Sequence, residues 1–148
     1  KNYRAKEVEY ACDERQASLT LDIADAYPQE AYVKQWRRTI QLNRSQEVRI
    51  TEDYQLLSYQ KPTELVLVTC GTPHITEDGV ITISTGKQTY LLKYDAALLT
   101  PVIEEIQYND TKIRNAWNKK TLYRILLTIR KRSLKGKISY TMSLATAT

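Results

Sequence analysis

The residue types that carry most enzyme chemistry are scarce in this sequence and poorly spaced for it. The single histidine, His74, stands in the segment GTPHIT beside Pro73, and no serine or cysteine around it completes a nucleophile–base pair. It reads as a turn histidine. Four carboxylate pairs occur: Asp22/Asp25, Glu52/Asp53, Glu77/Asp78 and Glu104/Glu105. On an extended strand, adjacent side chains point to opposite faces, so Glu52/Asp53 and Glu104/Glu105 do not converge for acid–base work. Glu77/Asp78 precedes Gly79 and has the composition of a turn. With one His, two Cys and no CxxC, there is no metal-ligand spacing either. No catalytic and no metal residue is assigned.

What remains is cationic and aromatic. The basic clusters are Lys34/Arg37/Arg38, Lys119/Lys120/Arg124 and Arg130/Lys131/Arg132/Lys135/Lys137. The first two have an indole close by, Trp36 and Trp117. An indole flanked by guanidinium and ammonium groups can hold a sugar by its apolar face and a carboxylate or sulfate by its charge. The same grouping can stack bases. Arg37, Trp117, Lys119 and Lys120 are therefore candidate glycan contacts. Trp36 shares strand parity with Ile40 and Leu42 and is expected inside, which leaves Arg37 facing solvent. Arg38 falls on the apolar parity, where it needs a carboxylate partner or a bulge. It is a structural ion-pair candidate, and Arg124, between Leu122 and Leu126, poses the same question.

The elements that must position these residues read as strands. Leu19, Leu21 and Ile23 alternate with polar residues; Trp36, Ile40 and Leu42 do so after the Tyr27–Pro28 break; Val48 and Ile50 follow. Period-2 alternation in three consecutive segments predicts an antiparallel sheet. Further strands are expected at residues 5–13, 64–70, 80–84, 88–94, 102–108, 121–131 and 138–144. ELVLVTC (64–70) is continuously apolar, as in a strand buried on both faces. The pair VITIS and QTYLLKY reads as a hairpin. The segment DAYPQEAY is a connector with room for one helical turn, and NDTKIRNAWNKK a connection. The expected fold is all-β, an antiparallel β-sandwich of about ten strands with little helix, in one domain over residues 1–148.

Composition sets the outer bounds. A chain of 148 residues can bury about 70% of its unfolded surface. No apolar run approaches the length of a membrane helix, and the polar start KNYRAKEVEY lacks a signal-peptide core. The sole methionine is Met142, and the expectation is a piece of a longer chain. There is no Phe but there are 11 Tyr and 2 Trp, which suits half-wet sheet faces. Four glycines leave no phosphate-cradling loop. The net charge of +5 favours anionic partners, or simply a lysine-rich solvated face. Cys12 and Cys70 read as core thiols, with a disulfide open to them in an oxidising compartment.

The words LDIADAYP, WRRTIQLNR and VRITEDYQL, followed in order by TEDGVITIS, QTYLLKYD and AWNKKTLYRILLTI, resemble the C-terminal β-sandwich region of heparinase II/III-like polysaccharide lyases. The resemblance spans residues 8–129. It implies a supersandwich-like fold behind an upstream α/α-toroid, and cleavage of acidic polysaccharide by β-elimination at the C5 proton of a uronic acid. It implies further that the catalytic Tyr and Asn lie in the toroid. The family's catalytic His and its zinc ligands have no match here beyond Asp22, so no cofactor is expected in this chain, although the parent can carry zinc. A periplasmic or extracellular bacterial location follows from the same resemblance.

Three functions compete on this reading. The first is an accessory, non-catalytic domain of such a lyase, with the toroid and acidic polysaccharide as partners. The second is an independent binding module for anionic glycans, using Trp117, Tyr94 or Tyr108. The third, a nucleic-acid-binding domain, rests on charge and aromatics alone and lacks any recognition motif. Neither nucleic acid nor membrane is expected as a partner.

Overall fold

The computed structural model describes residues 3–117 and 121–145. Among them are eleven strands, two short 3-10 turns and one α-helix: β1 Lys6–Cys12, β2 Gln16–Asp22, β3 Val33–Asn43, β4 Glu47–Leu56, β5 Glu64–Thr69, β6 Thr72–Glu77, β7 Val80–Ser84, β8 Thr89–Tyr94, β9 Leu99–Gln107, α1 Thr111–Trp117, β10 Thr121–Ile129 and β11 Lys135–Leu144. The chain is all-β, and every strand pairing described below is antiparallel. It divides into two compact units, Lys1–Pro62 with Lys131–Ser143, and Thr63–Arg130 with Leu144–Thr148.

In the first unit the order is β1-β2-β3-β4-β11. Registers place Trp36 opposite Tyr54, Arg38 opposite Glu52 and Leu21, and Ile40 opposite Ile50 and Leu19. One face is thus apolar apart from the Arg38–Glu52 row, while the other carries hydroxyls, with Thr20 against Thr39 at 3.0 Å and Thr51 against Ser139 at 2.9 Å. Trp36 packs inside, as its parity predicts, stacked on Tyr54 at 5.3 Å between ring centroids and tilted against Tyr27 at 6.1 Å. Gly136 lies across from Tyr54, and a Cβ there would come within 2.8 Å of the phenol oxygen. The glycine lets the aromatic ring cover the neighbouring strand. The connector between β2 and β3 contains two 3-10 turns, Ala24–Ala26 and Gln29–Ala31, where one was expected. β1 is an edge strand, exposed along its whole length and interrupted by a bulge at Glu7, whose φ is 49°.

The second unit contains two three-stranded arrays, β5-β10-β9 and β8-β7-β6, with β6 lying against β9 and β10. Leu65, Ile125, Leu127 and Leu99 from one and Ile81, Ile83 and Leu92 from the other are buried, so two strand layers close over a dry core. The hairpin β7–β8 forms as read, through Gly86 at φ 84°.

Four expectations need correction. GTPHIT is not a turn: it forms β6, with exposed His74 in mid-strand. Pro73 is tolerated because β6 ends the β8-β7-β6 order, where a missing N–H leaves no ladder bond unmade. The connection after β9 contains α1, capped by Asp110, whose Oδ1 accepts from the Lys112 and Ile113 amides at 2.7 and 3.1 Å. β5 is not buried on both faces, since Val66 and Val68 are exposed. Cys12 lies on exposed β1 rather than in the core; both cysteines are free thiols.

Candidate functional site

The densest polar geometry of the first unit surrounds Glu52. Strand β4 carries this carboxylate onto the apolar face, where it has no exposed surface. Its two oxygens accept from Trp36 Nε1 at 2.6 Å and from Arg38 Nε at 2.7 Å. The Tyr140 phenol, one strand over, is close enough to feel its charge. A buried carboxylate is tolerable only when paired and hydrogen-bonded, and the Trp36 and Arg38 donors, one to each oxygen, meet that condition. Arg38 therefore spans from solvent to the buried charge. The cluster is closed to ligands and has the chemistry of a structural anchor.

The same cluster acts on Tyr140. Burial, assisted by the nearby Glu52 charge and opposed by Arg38, pushes its phenol up to about 12. A folded-state pKa above the unfolded value near 10 means that the native state holds the proton more tightly. That stability is complete below pH 10 and is lost as pH rises to about 12, at up to roughly 1.4 kcal/mol per pH unit. Burial raises Tyr54 and Tyr94 in the same direction. The expected result is a urea midpoint that falls across this window and falls less steeply in Tyr140→Phe. Equal slopes in the two proteins would refute the assignment.

The candidate glycan contacts do not gather into one place. Arg37 lies on the polar face of the first unit, and its guanidinium is held by Glu9 at 3.0 Å and Glu7 at 3.5 Å. An incoming anion would have to displace two carboxylates. Trp117 ends α1 in the second unit and is 42% exposed. Lys119 and Lys120 lie outside the described residues. Arg124, on β10, is paired with Glu104 across the strand, Nε to carboxylate at 2.7 Å.

Of the third basic cluster, which has no indole, Arg132 lines a surface cavity of about 450 Å³ together with Leu57, Tyr59 and Leu134. The sequence signal that could have singled it out is the run of cations around Arg132 together with the lack of acids nearby; Tyr59, seventy-three residues away, joins it only through the fold.

Neither Asp22 nor His74 offers a zinc ligand set. Asp22 is buried, and its Oδ1 accepts from the Ala24 and Trp36 amides at 2.9 and 3.2 Å. Among the described residues no three His, Cys, Asp or Glu side chains come together. The described residues do not fit the metal of the resembled family. No helix among these residues is long and apolar enough to cross a membrane.

No family model and no curated protein sequence matches the chain. Its structure is similar to part of the heparan sulfate lyase HepC from Pedobacter heparinus, with a TM-score of 0.67 and 9% identity over 97% of this chain. A mutant of that enzyme gives 0.66 and 10% over the same share. In both, the match spans 22% of the lyase chain. At such identity the likeness is one of fold: this sequence builds the β architecture found in about a fifth of a heparan sulfate lyase.

Proposed function

We propose that this chain is an accessory β-sandwich domain of a larger, heparinase II/III-like polysaccharide lyase that cleaves acidic polysaccharide by β-elimination, and that it is not catalytic by itself. The observation that carries the reading is the shared fold over 97% of the chain against 22% of a heparan sulfate lyase. The ordered sequence words noted above point to the same family and to a C-terminal position behind an α/α-toroid. The chemistry agrees. Elimination needs a base at the C5 proton and a group that neutralises the uronate carboxylate. The only histidine is exposed on β6, and the best-formed carboxylate cluster is sealed. The catalytic groups then belong to the toroid, the substrate is an acidic polysaccharide, and the parent works in the periplasm or outside the cell.

The test is the absorbance of the unsaturated uronate product. The encoded full-length protein is incubated with heparan sulfate, heparin, chondroitin sulfate and alginate, alongside the 148-residue chain alone. Product from the full-length protein and none from the isolated chain supports the reading. Product from the isolated chain, or none from the full-length protein on any substrate, overturns it.

A further inference from the structure

Four arginines of the two units, Arg37, Arg38, Arg49 and Arg124, are each already met by a carboxylate. Arg132 is not. Its guanidinium carbon sits over the Tyr59 ring, 4.8 Å from the centroid, a cation–π contact that leaves its N–H groups unspent. The sequence on either side of the cavity is cationic. Residues 54–62 and 131–137 contain Lys61, Lys131, Arg132, Lys135 and Lys137 and no Asp or Glu. No ion pair among the described residues involves Lys61, Lys131, Arg132 or Lys135.

The cavity beside Arg132 has a volume of about 450 Å³, within the usual range of small-ligand sites. Its walls are held by backbone bonds, Leu56 N to Leu134 O and Leu57 N to Tyr32 O, both at 2.7 Å. Leu57 and Leu134 expose aliphatic surface at the rim, the kind of surface that covers the C–H face of a pyranose. Ser58 Oγ accepts from Gln60 at 2.8 Å and keeps its own proton to donate. Ser133 spends its proton on the Lys135 carbonyl at 2.6 Å, which orders the loop that carries Arg132. Two further cavities of the first unit, about 450 and 440 Å³, contain Asp25 and Glu14 among their linings and offer mixed charge.

We infer that the Leu57–Tyr59 and Arg132–Leu134 cavity is a subsite for one anionic sugar unit of an acidic polysaccharide. Arg132 forks its carboxylate or sulfate, Ser58 donates to a ring substituent, and Lys61, Lys131 and Lys135 attract the flanking charges. The inference rests on the proposed lyase reading for its choice of polysaccharide. It places the contact away from both indoles.

Binding is measured with the full chain and a fluorescent heparin oligosaccharide, by anisotropy, with unlabelled alginate oligomer, dextran and duplex DNA as competitors. Arg132→Gln is expected to weaken binding by about tenfold or more, and Arg132→Lys to recover only part of it, because a point charge replaces a planar fork. Arg49→Gln should change affinity less than about twofold, since its charge is already met by Glu47. Amide shifts of Ser58 and Ser133 on titration give a second readout that needs no variant. Competition by alginate assigns the group to carboxylate, and its absence to sulfate; either supports the subsite. Wild-type affinity in Arg132→Gln, or no glycan binding at all, overturns it while leaving the product assay to judge the lyase reading. Equal competition by dextran overturns it too, as does tighter, Arg132-dependent binding of DNA.

Discussion

Glu52→Ala is expected to destabilise the chain by about 3–5 kcal/mol, the range seen when one partner of a buried ion pair is removed. The substitution leaves the buried Trp36 indole N–H and the inner end of Arg38 without their acceptor. Each stranded donor costs its desolvation, about 1–3 kcal/mol, and the cavity adds to it. Glu52→Gln retains one acceptor oxygen and should lose less. The informative partner is the double change Arg38→Met with Glu52→Leu, which removes both charges together and fills the cavity; it is expected to recover the part of the loss due to Arg38 and the cavity, while the Trp36 N–H stays without an acceptor. Urea titration of the four proteins decides the matter. A Glu52→Ala midpoint within about 1 kcal/mol of wild type would mean that water reaches the carboxylate.

A second large effect separates two neighbouring residues of β5. Leu65 is 2% exposed and faces Leu127 across the strand pair, whereas Val66 is 54% exposed on the opposite face. Leu65→Ala is expected to cost about 2–5 kcal/mol, and Val66→Ala less than about 1. Chemical denaturation of the isolated chain reads both. A reversed order would move the dry core to the other side of β10 and undo the layer arrangement of the second unit.

The strands were readable because their alternation is strict where one face is dry. β3 and β4 show this best, with Trp36 and Tyr54 on the parity assigned to the interior. β5 misled for a related reason: Leu65, Val66, Leu67 and Val68 form an unbroken apolar run, and such a run does not say which face is open. His74 was misplaced because Gly71 and Pro73 are turn-forming residues whose context at a sheet edge is tertiary information. α1 is too short for helical periodicity to show, although Asp110 ahead of Thr111 is a capping signal that the sequence did contain. Parity alone demanded that Arg38 find a carboxylate or a bulge. It could not name Glu52, since that choice depends on the β3–β4 register. The Tyr59–Arg132 stack joins residues seventy-three apart and follows from no local pattern.

The apolar face of the first unit is graded. It is closed at Trp36 and Glu52, more open at Ile40 and Leu42 toward the hairpin tips, and open at the edge strand, where Tyr10 is 71% exposed. Backbone hydrogen bonds in that sheet are therefore not equally durable. Amide protons of β2 and β3 near Leu42 should exchange with solvent through brief local fraying that starts at the hairpin tips around Asp13 and Ser45. Those near Trp36 should exchange only when the whole unit unfolds. The sheet behaves as a zipper fastened at its aromatic end, and its motion is concentrated at the far one.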